Sequence, residues 1–168
     1  DEGASMVKDF EDSRIRLIQQ ENLGVSAARN KGIEASRAGL IAFLDADDEW
    51  MPDHLETLLK LYNMHPNAGA YATAWLMQTS SSSIKKANFH AIPAKPWEGL
   101  LPNYFRSAAF GDPPVCASAV GIPKRILVEM NGFTTKVWWG EDTDLWGRIA
   151  LRYPIAFSWD GVAIYHTE

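Results

Sequence analysis

The sequence predicts an α/β domain in which helices flank a central mixed sheet. Segments with the period of strands and segments with the period of helices alternate along the first half of the chain, an order typical of layered α/β architectures. The run LIAFL at residues 40–44 is apolar throughout, as expected for a strand covered on both faces. With 168 residues, of which 46% are hydrophobic, the chain is long enough for one such domain.

The first predicted unit is a strand followed by a helix. Residues 15–19 alternate between apolar and polar side chains in the manner of a strand, and the sequence NLG at residues 22–24 predicts a turn. A helix is then expected over residues 25–37, with Ser26 as its cap.

The second predicted unit repeats this order. The apolar run at residues 40–44 is expected to be a buried strand of a parallel sheet, and a helix over residues 51–64 follows it, with Pro52 in the first turn. His54 is predicted to lie at the surface. The apolar stripe of this helix consists of Leu55, Leu58, Leu59 and Tyr62. Residues 69–76 predict a third strand.

The second half of the chain is less regular. Residues 78–114 contain a serine run and five prolines, and we interpret them as an excursion over the sheet that serves as a lid or binding loop. A strand over 115–122, a helix over 123–130 and a helix over 143–152 are expected next. The last strands, 155–159 and 162–165, form either a hairpin or one bent edge strand. We interpret the whole chain as a single domain.

The composition excludes several classes of function. The net charge of −5 argues against nucleic acid or an anionic membrane surface as the main partner. Cys116 is the only cysteine, which excludes an internal disulfide and a zinc site built on several thiolates. No apolar run approaches the length of about 18 residues that a membrane helix needs. We therefore expect a cytoplasmic location, either free or at the inner face of the membrane.

The most informative chemical signal is the acidic cluster that follows the apolar run. Asp45, Asp47, Asp48 and Glu49 stand where the strand is expected to end, at the edge where ligands of open α/β sheets bind. Crowded carboxylates repel one another unless a cation compensates, and hard oxygen ligands suit Mg²⁺ or Mn²⁺ holding a phosphate. A helix cap is one alternative. A calcium loop is another, and Trp50 excludes it because the sixth position of that loop requires glycine.

Four segments together resemble glycosyltransferase family 2, whose members are inverting enzymes with the A-type nucleotide-sugar transferase fold. These segments are DEGAS at residues 1–5, NLGVSAARNKG at 22–32, FLDADDEWMP at 43–52 and GEDTDLW at 140–146. The third segment resembles the DxD metal motif of the family, and the fourth resembles its acidic base motif. The resemblance implies a Rossmann-like three-layer α/β/α domain that lacks the first strand and helix of the family.

The resemblance also implies metal and nucleotide contacts. Asp47 would coordinate Mn²⁺ or Mg²⁺ at the diphosphate of the donor, and His166, after the last predicted strand, would join it. Asp45 is similar to the family carboxylate that reaches the ribose hydroxyls, and Asp48 could take either task. Arg29 resembles the basic residue near the nucleotide, where its forked donors suit phosphate or base oxygens. A solvated arginine on the helix surface stays open as the alternative.

The catalytic and acceptor contacts are implied in the same way. Asp142, with Glu141 beside it, resembles the base that takes the proton of the acceptor hydroxyl. A helix cap stays open as the role of either acid. Trp138 and Trp139, together with Trp146, would stack against a sugar ring, and a place in the hydrophobic core stays open as the alternative.

The resemblance thus implies metal-dependent, inverting transfer of a sugar from a nucleotide-diphosphate donor to a saccharide or lipid-linked acceptor, in polysaccharide biosynthesis. Asp1 or Glu2 would contact the nucleotide base, and residues 78–114 would lie on the acceptor side. A homodimer is left open. Two alternatives stay open as well: a non-catalytic nucleotide-binding or sugar-binding relative, and a phosphotransferase that uses Asp45 as its nucleophile.

Overall fold

The computed structural model describes residues 3–79, 83–137 and 139–167. The strands are β1 (Leu40–Ala42), β2 (Glu49–Trp50), β3 (Ala70–Thr79), β4 (Ile84–Lys86), β5 (Glu98–Leu100), β6 (Val120–Pro123) and β7 (Ile155–Thr167). The helices are α1 (Gly3–Lys8), α2 (Val25–Ala35), α3 (His54–Met64), α4 (Tyr104–Phe110), α5 (Lys124–Glu129) and α6 (Glu141–Ala150). Within the described residues the strands form one mixed sheet in the order β1-β6-β3-β7-β2, with β4 beside β3 and β5 beside β7.

Helices cover both faces of this sheet. Side chains along a strand point alternately to opposite faces, and β3 follows this rule. Ala70 and Ala72 belong to the larger core cluster, which includes buried residues of α2, α4, α5 and α6. Tyr71, between them, belongs to a second cluster with Leu58 and Leu61 of α3. The predicted three-layer α/β/α architecture is therefore confirmed.

The last strand is one bent strand that runs parallel to β3 on both sides of the bend. Thr73 pairs with Ser158 and Trp75 pairs with Ala163, so a bulge separates the two paired halves of β7. Of the two arrangements left open for this part of the chain, the bent single strand is correct and the hairpin is wrong. The expected edge position is also wrong, because β7 lies between β3 and β2.

Glycine is required at this bend. Gly161 has a φ of 70°, in the left-handed region that residues with a Cβ rarely adopt. A Cβ added there would lie 2.5 Å from the Cβ of Thr57 in α3. The bend of β7 therefore packs directly against α3.

The direction of β1 differs from the prediction. β1 pairs with β6 in antiparallel orientation, with Ile41 opposite Ile122, and its three residues are only partly buried. Among the described strands it lies at one end of the sheet order and has a single neighbour. A continuous apolar run reflects a tendency to be buried but carries no information about strand direction, so the expectation of a parallel strand was wrong.

The expected strand at residues 15–19 does not form. This segment is exposed and has no regular secondary structure. An alternating pattern becomes a strand only where a neighbouring strand takes up its backbone hydrogen bonds, and none of the described strands pairs with it.

The starts of α2 and α3 also differ from expectation. Gly24, with a φ of 87°, is the N-cap of α2, whereas Ser26 is buried inside the first turn and is not the cap. α3 begins after Pro52 and not at residue 51. Leu55 and Leu59, two members of its predicted apolar stripe, are about half exposed, and the helix buries other positions instead.

The segment at residues 78–114 contains regular structure. β4 and β5 extend the sheet, and α4 is capped by Asn103, whose side chain accepts a hydrogen bond from the N–H of Arg106 at 2.9 Å. The role of this segment as a lid or acceptor loop stays a prediction. None of the described helices is long and apolar enough to cross a membrane.

His54, expected at the surface, is fully buried between α3 and the bend of β7. Its Nδ1 lies 2.5 Å from the carbonyl oxygen of Gly161, and the ring of Trp50 stacks on it with centroids 4.9 Å apart. Since a carbonyl can only accept, Nδ1 carries the proton. Its Nε2 is buried and has no hydrogen-bond partner among the described residues. Burial disfavours the imidazolium and lowers the pKa of His54, while the Gly161 carbonyl and the charge of Asp53 oppose the shift.

This burial predicts a loss of stability in mild acid. Below the ordinary histidine pKa of about 6.5 the unfolded chain takes up a proton that folded His54 does not, so the free energy of unfolding falls with decreasing pH, by up to about 1.4 kcal/mol per pH unit. The loss continues down to the lower pKa of the folded state. Urea unfolding between about pH 8 and pH 5 measures this slope for the wild-type protein and for His54→Asn, which keeps a donor but does not titrate. The variant is expected to show the flatter slope, and equal slopes would contradict the prediction.

Candidate active site

A cleft of about 390 Å³ brings together residues from three of the four sequence segments, those at 22–32, 43–52 and 140–146. The predicted metal ligands Asp47 and His166 are not among its lining residues. Its charged lining residues are Arg29, Asp45, Glu141 and Asp142. Its aromatic lining residues are Trp75, Trp139 and Tyr165. This volume lies in the range of pockets that hold small organic ligands.

Arg29 of α2 bridges two of these motifs. One terminal nitrogen lies 2.8 Å from both carboxylate oxygens of Asp45, and the other lies 3.0 Å from a carboxylate oxygen of Glu141. Only 11% of the Arg29 side chain is exposed, and its guanidinium lies 5.2 Å from the ring centroid of Phe133. Arg29 is therefore not a solvated surface residue but the ionic link between the end of β1 and the start of α6.

Asn30, the next residue, docks α2 in the position that this link requires. Its amide nitrogen donates to the carbonyl oxygen of Phe133, and its side-chain oxygen accepts from the N–H of Phe133, both at 2.8 Å. Gly132 leaves room for this contact, because a Cβ there would lie 2.3 Å from the Asn30 oxygen.

The two acids at the start of α6 have different surroundings. Glu141 is held by Arg29, and only 14% of its side chain is exposed. Asp142 has no ion pair within the described residues, and one of its oxygens accepts from the N–H and hydroxyl of Thr143 at 2.6 and 3.2 Å. The N-terminal end of a helix stabilises a carboxylate at this position. Asp142 is thus an ionisable acid in the cleft that is not neutralised by a neighbouring cation.

Ser118 organises the base of the acidic cluster, and sequence reasoning missed it. Its hydroxyl accepts from the N–H of Asp45 at 3.0 Å, and its carbonyl accepts from the indole N–H of Trp50 at 2.6 Å. Ser118 lies in a 3₁₀ turn, Ala117–Ala119, which is far from the cluster in sequence and carries no motif. These two contacts fix both ends of the acidic segment.

Asp48 differs from its neighbours because it is buried. One carboxylate oxygen accepts from the N–H of His166 at 3.1 Å, and the other is buried without a hydrogen-bond partner among the described residues. Burial raises the pKa of Asp48, while the nearby Ser118 hydroxyl and the His166 N–H oppose the shift; the charges of Asp47 and Asp45 raise it further. The carboxylate of Asp48 thus ties the cluster to β7, and Asp47 is the more exposed of the two acids.

The residues expected to hold a metal present suitable donors. Asp47 is an exposed carboxylate, and His166 lies with its Nε2 3.0 Å from a carboxylate oxygen of Glu49. In the part of the chain that the structure describes, no three His, Cys, Asp or Glu side chains converge to hold a metal. Mg²⁺ at phosphate sites commonly takes only one or two protein ligands and completes its shell with phosphate and water. The exposed carboxylate of Asp47 fits this mode of binding, and a nitrogen ligand from His166 would favour Mn²⁺ over Mg²⁺.

Three of the predicted site residues, Asp1, Glu2 and Trp138, lie outside the described residues, and their roles stay predictions. Trp139 is 87% exposed and lines the cleft. Trp146 is 1% exposed and packs on Phe133 with ring centroids 5.9 Å apart. Of the two roles left open for Trp146, the core is therefore correct and stacking against a sugar is wrong.

The aromatic wall of the cleft was also missed. Trp75 of β3 donates its indole N–H to the carbonyl of Pro113 at 3.1 Å and meets Tyr165 edge to face, with centroids 6.3 Å apart. Tyr165 is 37% exposed. Cys116 also lines the cleft, and burial raises the pKa of its thiol to about 12, so it is not an activated nucleophile. A tryptophan inside an apolar strand is usually assigned to the hydrophobic core. The position of Trp75 at the cleft follows only from the order of the strands in the sheet, which its local sequence does not indicate.

The three-layer α/β domain and the acidic cleft at the end of a strand match the A-type sugar-transferase arrangement that the sequence motifs imply. The chain belongs to glycosyltransferase family 2, whose model, described as Glycosyl transferase family 2, matches residues 1–127. Arg29 and the acidic cluster lie inside the matched range, and Asp142 and His166 lie beyond it.

Individual relatives support the same family. EpsH of Bacillus subtilis, named as a glycosyltransferase, is 53% identical over 49 residues, which are 29% of this chain and 14% of EpsH. TuaG of the same organism, named for teichuronic acid biosynthesis, is 32% identical over 93 residues, or 55% of this chain and 36% of TuaG. An uncharacterized glycosyltransferase of Rickettsia felis is 26% identical over 144 residues, or 86% of this chain and 22% of that protein. The chain thus spans well under two thirds of the length of these relatives.

Proposed function

We propose that this domain transfers a sugar, with inversion, from a nucleotide-diphosphate donor to the hydroxyl group of a saccharide or lipid-linked acceptor. The observation that carries the proposal is the Arg29 bridge, which joins Asp45 to Glu141 and so brings the nucleotide motif and the base motif to one cleft. Family membership supports the class of reaction, and the order of the motifs around the cleft supports the assignment of roles.

Asp142 is the proposed general base. The acceptor oxygen forms a bond to the anomeric carbon while the bond from that carbon to the diphosphate oxygen breaks, and the diphosphate leaves with the electron pair. The acceptor proton passes to the Asp142 carboxylate. The contrast between the two acids supports this choice, because Glu141 is neutralised by Arg29 whereas Asp142 has no cationic partner among the described residues.

The remaining residues bind and orient the donor. Asp45 would accept hydrogen bonds from the ribose hydroxyls while Arg29 fixes its orientation. Asp47 and His166 would hold Mn²⁺ or Mg²⁺, which when bound supplies the positive charge that stabilises the leaving diphosphate. Trp139 offers an exposed ring at the acceptor side of the cleft, on which a sugar could stack.

The alternative of a phosphotransferase with Asp45 as nucleophile is disfavoured by a specific contact. Both carboxylate oxygens of Asp45 lie 2.8 Å from the same nitrogen of Arg29. An oxygen engaged in a charge-assisted hydrogen bond of this kind is a poorer nucleophile than a free one.

The proposal predicts metal-dependent stabilisation by one class of nucleotide. At a concentration of 100 times its Kd, a nucleoside diphosphate that binds only the folded state adds about 2.7 kcal/mol, which raises the Tm of a domain of this size by about 5–10 °C. Thermal-shift measurements with a panel of nucleoside diphosphates, with and without Mn²⁺, check this result.

The matched control for that experiment is Asp47→Asn. This variant is expected to lose the Mn²⁺-dependent part of the shift and to keep the Tm of the wild-type protein without ligand, because Asp47 is exposed. An equal shift with and without Mn²⁺ would contradict the metal site, and the absence of a shift with every nucleotide would contradict the donor class.

A further inference from the structure

Glu49 and His166 are brought together by the register of two strands. β2 pairs with β7 in antiparallel orientation, with Glu49 opposite Ile164. Opposite residues share a face of the sheet, and so do residues two apart on one strand, so Glu49 and His166 are diagonal neighbours on the same face. Their side chains meet with His166 Nε2 3.0 Å from a carboxylate oxygen of Glu49.

This contact fixes which ring nitrogen of His166 carries the proton. An ionised carboxylate can only accept, so Nε2 must donate to Glu49. In a neutral imidazole the other nitrogen then has a free lone pair, and this nitrogen is Nδ1. None of the described residues forms a hydrogen bond with Nδ1 of His166. The main-chain N–H of the same residue is held by Asp48 at 3.1 Å, so the backbone and the ring are both anchored.

The contact is not needed to hold the fold together. The Glu49 side chain is 66% exposed and that of His166 is 30% exposed, and ion pairs at such exposed positions contribute little to stability. The neighbouring Trp50 is by contrast fixed to Ser118, and its ring packs on His54. A change of the Glu49 side chain therefore leaves the anchors of β2 intact.

We propose that Glu49 is a positioning residue that sets the tautomer and ring orientation of His166, so that Nδ1 is the atom of His166 that binds the divalent cation beside Asp47. This inference rests on the proposed function, which makes His166 a metal ligand. Histidines that bind metals generally donate their second ring N–H to a carboxylate or carbonyl, and loss of that partner typically weakens metal binding about 10- to 100-fold.

The first measurement is made on the metal-free protein and needs no enzymatic activity. Nitrogen-15 NMR of the histidine rings at about pH 8, where imidazoles are mostly neutral, reports the tautomer directly. His166, identified by its absence from the spectrum of His166→Gln, is expected to carry its proton on Nε2. Glu49→Leu is expected to give a mixture of tautomers, and Glu49→Gln, which retains an acceptor oxygen, is expected to preserve the wild-type form.

The second measurement is Mn²⁺ affinity, followed by electron paramagnetic resonance in the presence of the nucleoside diphosphate that gives the largest thermal shift. Glu49→Leu is expected to bind Mn²⁺ at least about 10-fold more weakly, and Glu49→Gln is expected to recover part of the loss. Glu56→Leu is the matched control, because it removes another exposed carboxylate, in helix α3, and is expected to leave the affinity unchanged.

The outcomes separate this inference from the proposed function. Wild-type protein that binds no Mn²⁺ would overturn the metal site and the inference together. Wild-type protein that binds Mn²⁺, with unchanged affinity or an unchanged tautomer in Glu49→Leu, would overturn the role of Glu49 and leave the proposed transfer standing.

Discussion

Replacement of Asp142 by asparagine is expected to lower the rate of sugar transfer by about 100- to 10,000-fold, the range that a positioned general base contributes. Asparagine is close in shape and keeps the side-chain oxygen that accepts from Thr143, so the start of α6 is preserved. It cannot accept the acceptor proton. Donor binding, measured by calorimetry with the nucleotide that stabilises the wild-type domain, is expected to change little.

Asp144→Asn is the matched control for this variant. Asp144 lies in the same first turn of α6 but pairs with Arg148 at 2.8 Å, and it does not line the cleft. Both variants remove one negative charge from the helix start, so both lose a similar contribution from the helix dipole. Equal turnover in the two variants would remove Asp142 from its proposed role. Donor binding without any transfer by the wild-type domain would favour the non-catalytic alternative.

Arg29→Met is expected to lower the free energy of unfolding by about 2–3 kcal/mol, because it leaves two partly buried carboxylates without a cation. Methionine retains an apolar side chain against Phe133, so the loss reflects charge more than packing. Sugar transfer is expected to fall as well, since Asp45 and Glu141 lose their common anchor. Urea unfolding at neutral pH measures the change in stability.

Two further variants test this interpretation. Arg152→Met breaks the exposed pair with Glu129 and is expected to cost less than about 1 kcal/mol. The combination of Arg29→Met with Asp45→Asn and Glu141→Gln removes both stranded charges and is expected to recover most of the lost stability. An Arg29→Met protein as stable as Arg152→Met would show that the bridge does not hold the two motifs together.

Much of the fold could be predicted because its helices and central strands have clear periodic patterns. The third strand, the helix α3 and the helix that carries Asp142 were all recognisable. The direction of the strands was not recognisable. The apolar residues of β1 indicate burial, but they carry no information about the orientation of its partner β6, which comes about 80 residues later in the chain. The segment at residues 15–19 has a strand pattern without a described strand beside it, so its pattern was misleading.

The site was predictable where its residues belong to short motifs and not where the fold alone assembles it. Arg29 and Glu141 were singled out separately, but nothing in their local sequence indicates that they form an ion pair across 112 positions. Ser118 and Trp75 resemble ordinary core residues in sequence. His54 was misjudged because a polar residue near the start of a helix is usually exposed, whereas here the bend of β7 supplies a buried carbonyl partner.

The bulge in β7 has a consequence for how this chain tolerates changes of length. Between the paired positions on either side, β3 advances from Thr73 to Trp75, two residues, while β7 advances from Ser158 to Ala163, five residues. β7 therefore has three more residues than β3 over this interval. Because successive side chains of a strand alternate between faces, an odd number of extra residues means that the even-numbered residues of β7 lie on one face before the bend and on the other face after it. If the bulge keeps its size, inserting or deleting one residue there shifts the pairing of β7 by one and turns Tyr165 and His166 to the opposite sides of the sheet, whereas a change of two keeps their orientation.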